Sequence, residues 1–418
     1  MSHTSRLRTA ISCTLLVAVT GASATACGGP EGHPLAADPY DAAQQVTFNG
    51  PSGNRKAPLD KPLEVTAKAE DGRITDVTAR DEAGHYLAGE LSADGSRWRS
   101  TGSLTAGARY TVKVATEDRD GAPGARTLTF ETAPAKKVLN VRFGPQAGTY
   151  GVGQPITAEL NVPVRSRAGR AAVERSLRVR STPAVEGSWY WVDDKKLHFR
   201  PKDFWPTGAS VTATGKLAGV RIDGDLYGGP VKPLSLTIGD RIEAITDAAS
   251  HQMTVKRNGQ VINTIPVTTG KPGFATRNGI KVVLGKEQFV RMRSTTVGIA
   301  AGSSESYDLP VYWATRVTWS GEYVHAAPWS AGSHGFANVS HGCTGMSTSN
   351  AAWFFKTVRP GDIVAVVNSG GSPMDPFGNG FGDWNIPWDK WRTGSALVDA
   401  ARPGVNPADA ARVRPVAF

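Results

Sequence analysis

Cys343 sits in Ser340-His341-Gly342-Cys343, and a second histidine lies upstream at His325. A thiol next to glycine and histidine, with another imidazole available, has the composition of a nucleophile and its general base. The thiolate is the attacking species, so the fold must lower the thiol pKa or supply a proton acceptor. The chain has 3 cysteines. Cys13 falls in an apolar N-terminal run and Cys27 just after it, which leaves Cys343 as the thiol of the folded part. His334, His341 and Cys343 offer one thiol without paired ligand spacing, so no metal or cofactor is expected. A buried structural cysteine is the plainer alternative, and the Ser-His-Gly context argues against it.

The N-terminus sets the compartment. Arg6 and Arg8 precede an apolar run from Ile11 to Val19, and Gly21 to Ala26 are small. This pattern is an export signal, too short to span a bilayer. Ala24-Thr25-Ala26-Cys27 resembles a bacterial lipobox, although leucine is usual where Ala24 stands. The resemblance implies lipidation of Cys27 and tethering to the outer face of the cytoplasmic membrane, in the cell-wall space. A plain secretory signal ending near Ala26 is the alternative. The net charge of +10 is spread along the chain without basic–aromatic interleaving. That argues against nucleic acid and for an anionic envelope polymer or membrane face.

The elements that must position the thiol and imidazole are mainly β. With 418 residues, 47 glycines and 27 prolines, several turn-rich β domains are expected. After a signal at 1–27 and a flexible tether at 28–44, residues 45–133 show short alternating runs. Leu63 to Ala69 and Tyr110 to Val114 alternate with period two, and Asp71-Gly72, Asp94-Gly95 and Asp120-Gly121 mark turns. Residues 134–238 repeat the theme, with Trp189-Tyr190-Trp191 as large core residues and a short helix or strand lead-in at Ala171 to Arg178. Both stretches read as immunoglobulin-like β-sandwiches. The third unit, 239–368, carries the chemistry. Its clearest helix is Thr348 to Thr357, capped by Ser347 or Ser349, followed by a buried strand in Asp362 to Val367. The extension at 369–418 holds the aromatic cluster Gly382 to Trp391, expected to pack on the third unit, and a loose tail from Val398.

Val324-His325-Ala326-Ala327-Pro328-Trp329-Ser330, followed by Asn338-Val339-Ser340-His341-Gly342-Cys343, resembles the active-site signature of L,D-transpeptidases with a YkuD-type catalytic domain. The likeness runs from about Asp240 to Trp391, and the tandem sandwiches match multidomain, lipoprotein-like members. It implies a peptidoglycan cross-linking enzyme. The cysteine takes the acyl group of a donor tetrapeptide stem, D-alanine leaves, and an amine of a second stem forms a 3→3 cross-link. Carbapenems are expected to acylate the same thiol.

The resemblance assigns Cys343 as nucleophile, His325 as base oriented by the Ala326 carbonyl, and the amides of His341, Gly342 and Cys343 to the oxyanion. It places Tyr307 and Met292 on a lid beside the substrate, with Trp329, Ser330, Asn338 and Ser340 around it. Arg291 or Arg293 is the expected partner of substrate carboxylates. Gly345 departs from the asparagine usual in the family, and Met346 is the residue expected to fill the space. Hydrolysis to trim D-alanine, transfer to a protein amine, and a non-catalytic wall-binding scaffold stay open as alternatives. The two sandwiches are expected to act as a spacer, such that deleting 28 to 238 leaves activity on soluble stems.

Overall fold

A computed structural model describes residues 38–51, 55–68, 70 and 72–398. Cys27 with the export signal, Asp71, and the tail beyond Val398 lie outside the described residues. The architecture is mainly β, as the alternating runs require.

The first sandwich packs two four-stranded sheets face to face. One has the order Tyr40–Asp41, Pro123–Glu131, Arg109–Glu117, Arg73–Asp81, and the other Val46–Phe48, Glu64–Ala67, Arg97–Ser100, Gly89–Leu91. Alternation does the work. In Arg97–Ser100 the arginines face water while Trp98 and Ser100 are buried. Trp98, Val65, Ile74, Tyr110 and Val112 form a core with no member from elsewhere in the chain. Tyr40 pairs with Gly124, so this sandwich begins before residue 45.

The second sandwich is built likewise, from sheets centred on Ile156–Leu160 with Lys196–Pro201 and on Ser210–Gly215 with Leu234–Ile238. Its helix is Arg167–Ser176, earlier than the sequence indicates, because Ser166 caps it by accepting from the Gly169 amide at 3.0 Å. Leu177–Thr182 then continues as strand. Unlike the first core, this one takes in Val282 and Ile363 of the third unit. The backbones touch there. Gly151 donates to the Pro360 carbonyl at 2.9 Å and Gly153 to that of Gly361 at 2.8 Å. A Cβ on Gly151 would lie 2.2 Å from Asp362 Oδ1, so only glycine allows the approach.

The C-terminal segment seals the same junction. Met374 and Asn385 pack on the third unit, where Asn385 bonds both the amide and the carbonyl of Ile280. The aromatic cluster, however, docks mostly on the second sandwich. Trp384 and Trp391 donate to the carbonyls of Gly153 and Ser188 at 2.8 and 3.0 Å. They flank the Arg200 guanidinium with Trp388, at 4.8, 4.6 and 5.4 Å. His198 Nδ1 meets the buried Asp383 carboxylate at 2.6 Å. Docking extends beyond the expected third unit because Trp189 and Trp191 fill the sandwich core, leaving Tyr190 on the other face to contact Phe377 and Trp391.

The third unit contains a five-stranded sheet in the order Gln260–Pro266, Gln252–Arg257, Ile242–Asp247, Ile363–Val367, Gly279–Val282. A second, four-stranded sheet runs Gly285–Arg293, Asp308–Arg316, Tyr323–Ala326, Thr344–Met346. The helix Thr348–Thr357 starts where Ser347 Oγ accepts from the Asn350 amide at 3.2 Å, and it buries Ala351 and Phe354 in the core between the sheets.

Candidate active site

The nucleophile and base arise from one strand pair. Tyr323–Ala326 and Thr344–Met346 run parallel, with Val324 opposite Thr344 and His325 opposite Gly345. Parallel neighbours need a crossover, which here is residues 327–343. Cys343 therefore arrives one residue before the strand that lies beside the histidine. Both residues line one cavity of about 260 Å³ with Met292, Tyr307, Trp329, Ser330, Ser340 and His341. Leu309 and Val311 give that cavity an apolar wall.

His325 is buried, and its Nδ1 donates to the Ala326 carbonyl at 2.8 Å. That bond fixes the tautomer and leaves Nε2 as acceptor. The Trp329 ring stacks over the imidazole, centroids 5.9 Å apart. Burial pushes the imidazole down to about 4, against the pull of the Ala326 bond. Cys343 keeps some exposure at the cavity wall, and its Sγ donates to the Gly321 carbonyl at 3.5 Å. Burial pushes the thiol up to about 12, with the Tyr323 backbone and Lys281 opposing and Glu322 reinforcing. The resting pair is a neutral thiol and a neutral imidazole, so no ion pair stands ready before substrate binds.

The loop before the thiol is tied internally. Ser340 Oγ donates to the Cys343 carbonyl at 2.7 Å and accepts from the Gly342 amide at 3.1 Å. Gly342 has φ of 119°, which side-chain-bearing residues rarely adopt, and its carbonyl accepts from Thr276 Oγ1 at 2.9 Å. Its N–H is thus spent on Ser340, which corrects its expected place at the oxyanion. The amides of His341 and Cys343 donate to no group among the described residues. The Tyr307 ring lies 5.1 Å from that of His341, and burial raises its hydroxyl pKa, so it stays a phenol donor.

Other expectations shift. Asn338 does not line the cavity: Oδ1 accepts from the Thr269 amide at 3.0 Å and lies 3.0 Å from His251 Nδ1, while Nδ2 donates to the Ala248 carbonyl at 2.8 Å. It staples the crossover to the five-stranded sheet. Met346 is fully buried under the helix, not beside the substrate space. The position of Gly345 is filled instead by its neighbours, since a Cβ there would meet the Ala327 Cβ at 2.9 Å and the Thr268 methyl at 3.0 Å. Arg291 and Arg293 pair with Asp308 at 2.7 and 3.5 Å and do not line the cavity.

Several groups near the thiol went unnoticed in the sequence. Glu322 receives the Arg277 guanidinium and the fully buried Lys281 ammonium, both at 3.1 Å. Glu305 receives Lys271 Nζ and His341 Nε2, both at 2.6 Å. No spacing marks these pairs, because each joins segments that meet only in the fold.

Comparison with known proteins agrees with this geometry. Residues 241–366 match the L,D-transpeptidase catalytic domain family, YkuD, and residues 55–221 match a bacterial Ig domain family, a match that spans both sandwiches. L,D-transpeptidase 2 of Mycobacterium tuberculosis is 36% identical over 400 residues, covering 94% of this chain and 96% of its own. L,D-transpeptidase 1 of the same organism is 39% identical over 217 residues, 52% of this chain and 80% of its own. A solved structure of the LD transpeptidase LdtMt1 in complex with imipenem is 36% identical, covers 55% of this chain and 99% of its own, and gives a TM-score of 0.48. With identity sustained across both sandwiches and the thiol–imidazole cavity, the chain belongs to the L,D-transpeptidases, as an enzyme with a YkuD catalytic domain behind N-terminal Ig-like modules.

Proposed function

We propose that the chain forms 3→3 cross-links between peptidoglycan stems through a thioacyl-enzyme on Cys343. The observation that carries this reading is the single cavity shared by Cys343 and a His325 whose Nδ1 is fixed on Ala326, leaving Nε2 as acceptor. Because thiol and imidazole rest neutral, the Cys343 proton passes to His325 as sulfur attacks the carbonyl of the third stem residue. The new C–S bond places charge on the carbonyl oxygen, for which the amides of His341 and Cys343, without acceptors among the described residues, and the Tyr307 phenol are the candidate donors. Collapse breaks the C–N bond, and His325 returns the proton to the departing D-alanine amine. An acceptor amine then attacks the thioester, gives its proton to His325, and the thiolate leaves and is reprotonated. The relatives bound to imipenem and to a faropenem-derived adduct support β-lactam acylation of the same sulfur.

The test is incubation with disaccharide-tetrapeptide and mass analysis, with Cys343→Ala alongside. A dimer lacking one D-alanine, absent with the variant, is expected. Monomeric tripeptide alone points instead to an L,D-carboxypeptidase, and neither product nor acyl adduct points to a wall-binding scaffold. The N-terminal pattern supports export with a lipid on Cys27. Metabolic labelling with a palmitate analogue, lost in Cys27→Ala, tests this.

A further inference from the structure

A carboxylate already sits beside the nucleophile loop. Glu305 belongs to the connection between Gly285–Arg293 and Asp308–Arg316, two residues before Tyr307 of the cavity wall. Its Oε2 accepts from Lys271 Nζ and from His341 Nε2, each at 2.6 Å. Lys271 is itself tied to the nucleophile loop, its amide donating to the Ser340 carbonyl at 2.9 Å. His341 lines the cavity two residues from Cys343. All three side chains are about two-thirds to four-fifths shielded from solvent. Hydrogen bonds from the Lys271 ammonium and the His341 ring hold the Glu305 carboxyl below the usual carboxylate range, Lys271 most strongly. An ammonium and an imidazole N–H converging on one oxygen form a charge-assisted anion site. The arginines on the neighbouring strand pair with Asp308, whereas Lys271 and Glu305, which also stand outside the cavity lining, adjoin it through His341.

We infer that Lys271 and His341 form the subsite for the carboxylate of the residue that leaves during acylation, and that Glu305 fills this subsite in the free enzyme until substrate displaces it. The inference rests on the stem-peptide reading above. The terminal carboxylate of a tetrapeptide donor lies one residue, about 4 Å of chain, beyond the attacked carbonyl. His341 lines the same cavity as Cys343, and Lys271 adjoins it through the Ser340 carbonyl. A donor ending in a carboxylate replaces Glu305 like for like and frees the connection carrying Tyr307. A donor ending in a carboxamide cannot, and it binds against the full cost of breaking the internal contact. The site thereby selects free tetrapeptide ends.

The test uses the full chain and two donors that differ only at the C-terminus, carboxylate or carboxamide, with kcat and KM read from products by mass spectrometry. Lys271→Met is expected to raise KM for the carboxylate donor about tenfold while moving the carboxamide donor far less. Glu305→Gln is expected to lower KM for the carboxylate donor severalfold, the opposite sign. Equal losses on both donors with Lys271→Met, or a raised KM with Glu305→Gln, would make the cluster a structural clasp and overturn the subsite. Equal use of both donors by the wild type overturns the subsite alone. Turnover of neither, with Cys343 still alkylated by iodoacetamide, removes the stem-peptide reading and the subsite with it.

Discussion

The two sandwiches share a pattern of strands and differ in how they belong to the molecule. The first closes its own core, from Val46 to Phe130, and among the described residues meets the second through the Ala106 amide on the Gly219 carbonyl at 2.8 Å and Arg221 on Ser103 at 3.3 Å. A cleft lined by Tyr86 and Thr105 of the first and Ala172 and Arg175 of the second lies between them. The second shares a continuous core with the catalytic unit through Val282 and Ile363, and the C-terminal segment is laid across both. The same kind of fold thus serves in one place as a detachable module and in the other as half of a larger body.

Deletion separates these roles most strongly. Removing residues up to 133 is expected to leave a cooperative melt and turnover on soluble donors close to wild type. Removing residues up to 238 bares Val282, Ile363, Trp384 and Trp391, and is expected to abolish both. This reverses the expectation that the catalytic unit stands alone once 28 to 238 are gone. Next in size, Trp98→Ala and Trp205→Ala each remove a buried indole, at a cost of about 3–5 kcal/mol. The first should lower a separate calorimetric transition without loss of activity, whereas the second, which also cuts the bond from Nε1 to the Gln154 carbonyl at 2.7 Å, should lower the midpoint of thermal inactivation. Asp383→Ala strands the buried His198 where the C-terminal segment meets the second sandwich, and roughly 3 kcal/mol should be lost from the activity-bearing transition alone.

The remaining effect is one of pH. Asp362 lies at the shared junction, where burial pushes its carboxyl up to about 7, offset in part by the Arg359 amide. The folded state then holds this proton more tightly than the unfolded chain. Its stabilisation is complete below pH 3.8 and is lost as pH rises to about 7. Asp362→Asn should flatten that slope in urea titrations of the fused body and leave the first sandwich unaffected.

Much of this was legible in the sequence, for identifiable reasons. Periodicity located the strands and Thr348–Thr357, because alternation and capping are local. The motif around Cys343 and His325 was legible because backbone geometry constrains consecutive residues, as the Ala326 carbonyl on Nδ1 illustrates. Glu305 with Lys271, and Lys281 with Glu322, left no trace, since each pair is assembled across more than thirty residues. Asn338 misled for the opposite reason: it lies close to the motif in sequence, yet its amide is spent on the backbone of another sheet. The second sandwich was legible but its fusion to the catalytic unit was not, because alternation records that a face is buried and says nothing of what buries it.

The parallel pairing of Tyr323–Ala326 with Thr344–Met346 has an evolutionary consequence. Base and nucleophile are placed by adjacent strands, about 4.8 Å apart in any sheet, with Cys343 one residue before the strand that carries Gly345 opposite His325. The part of the crossover before Asn338, with Trp329 and Ser330 facing the cavity, is an excursion whose ends are already pinned. Residues within it can be exchanged, lengthened or shortened while the reacting pair stays put. Substrate choice can therefore drift in this chain's descendants without each step passing through an inactive enzyme.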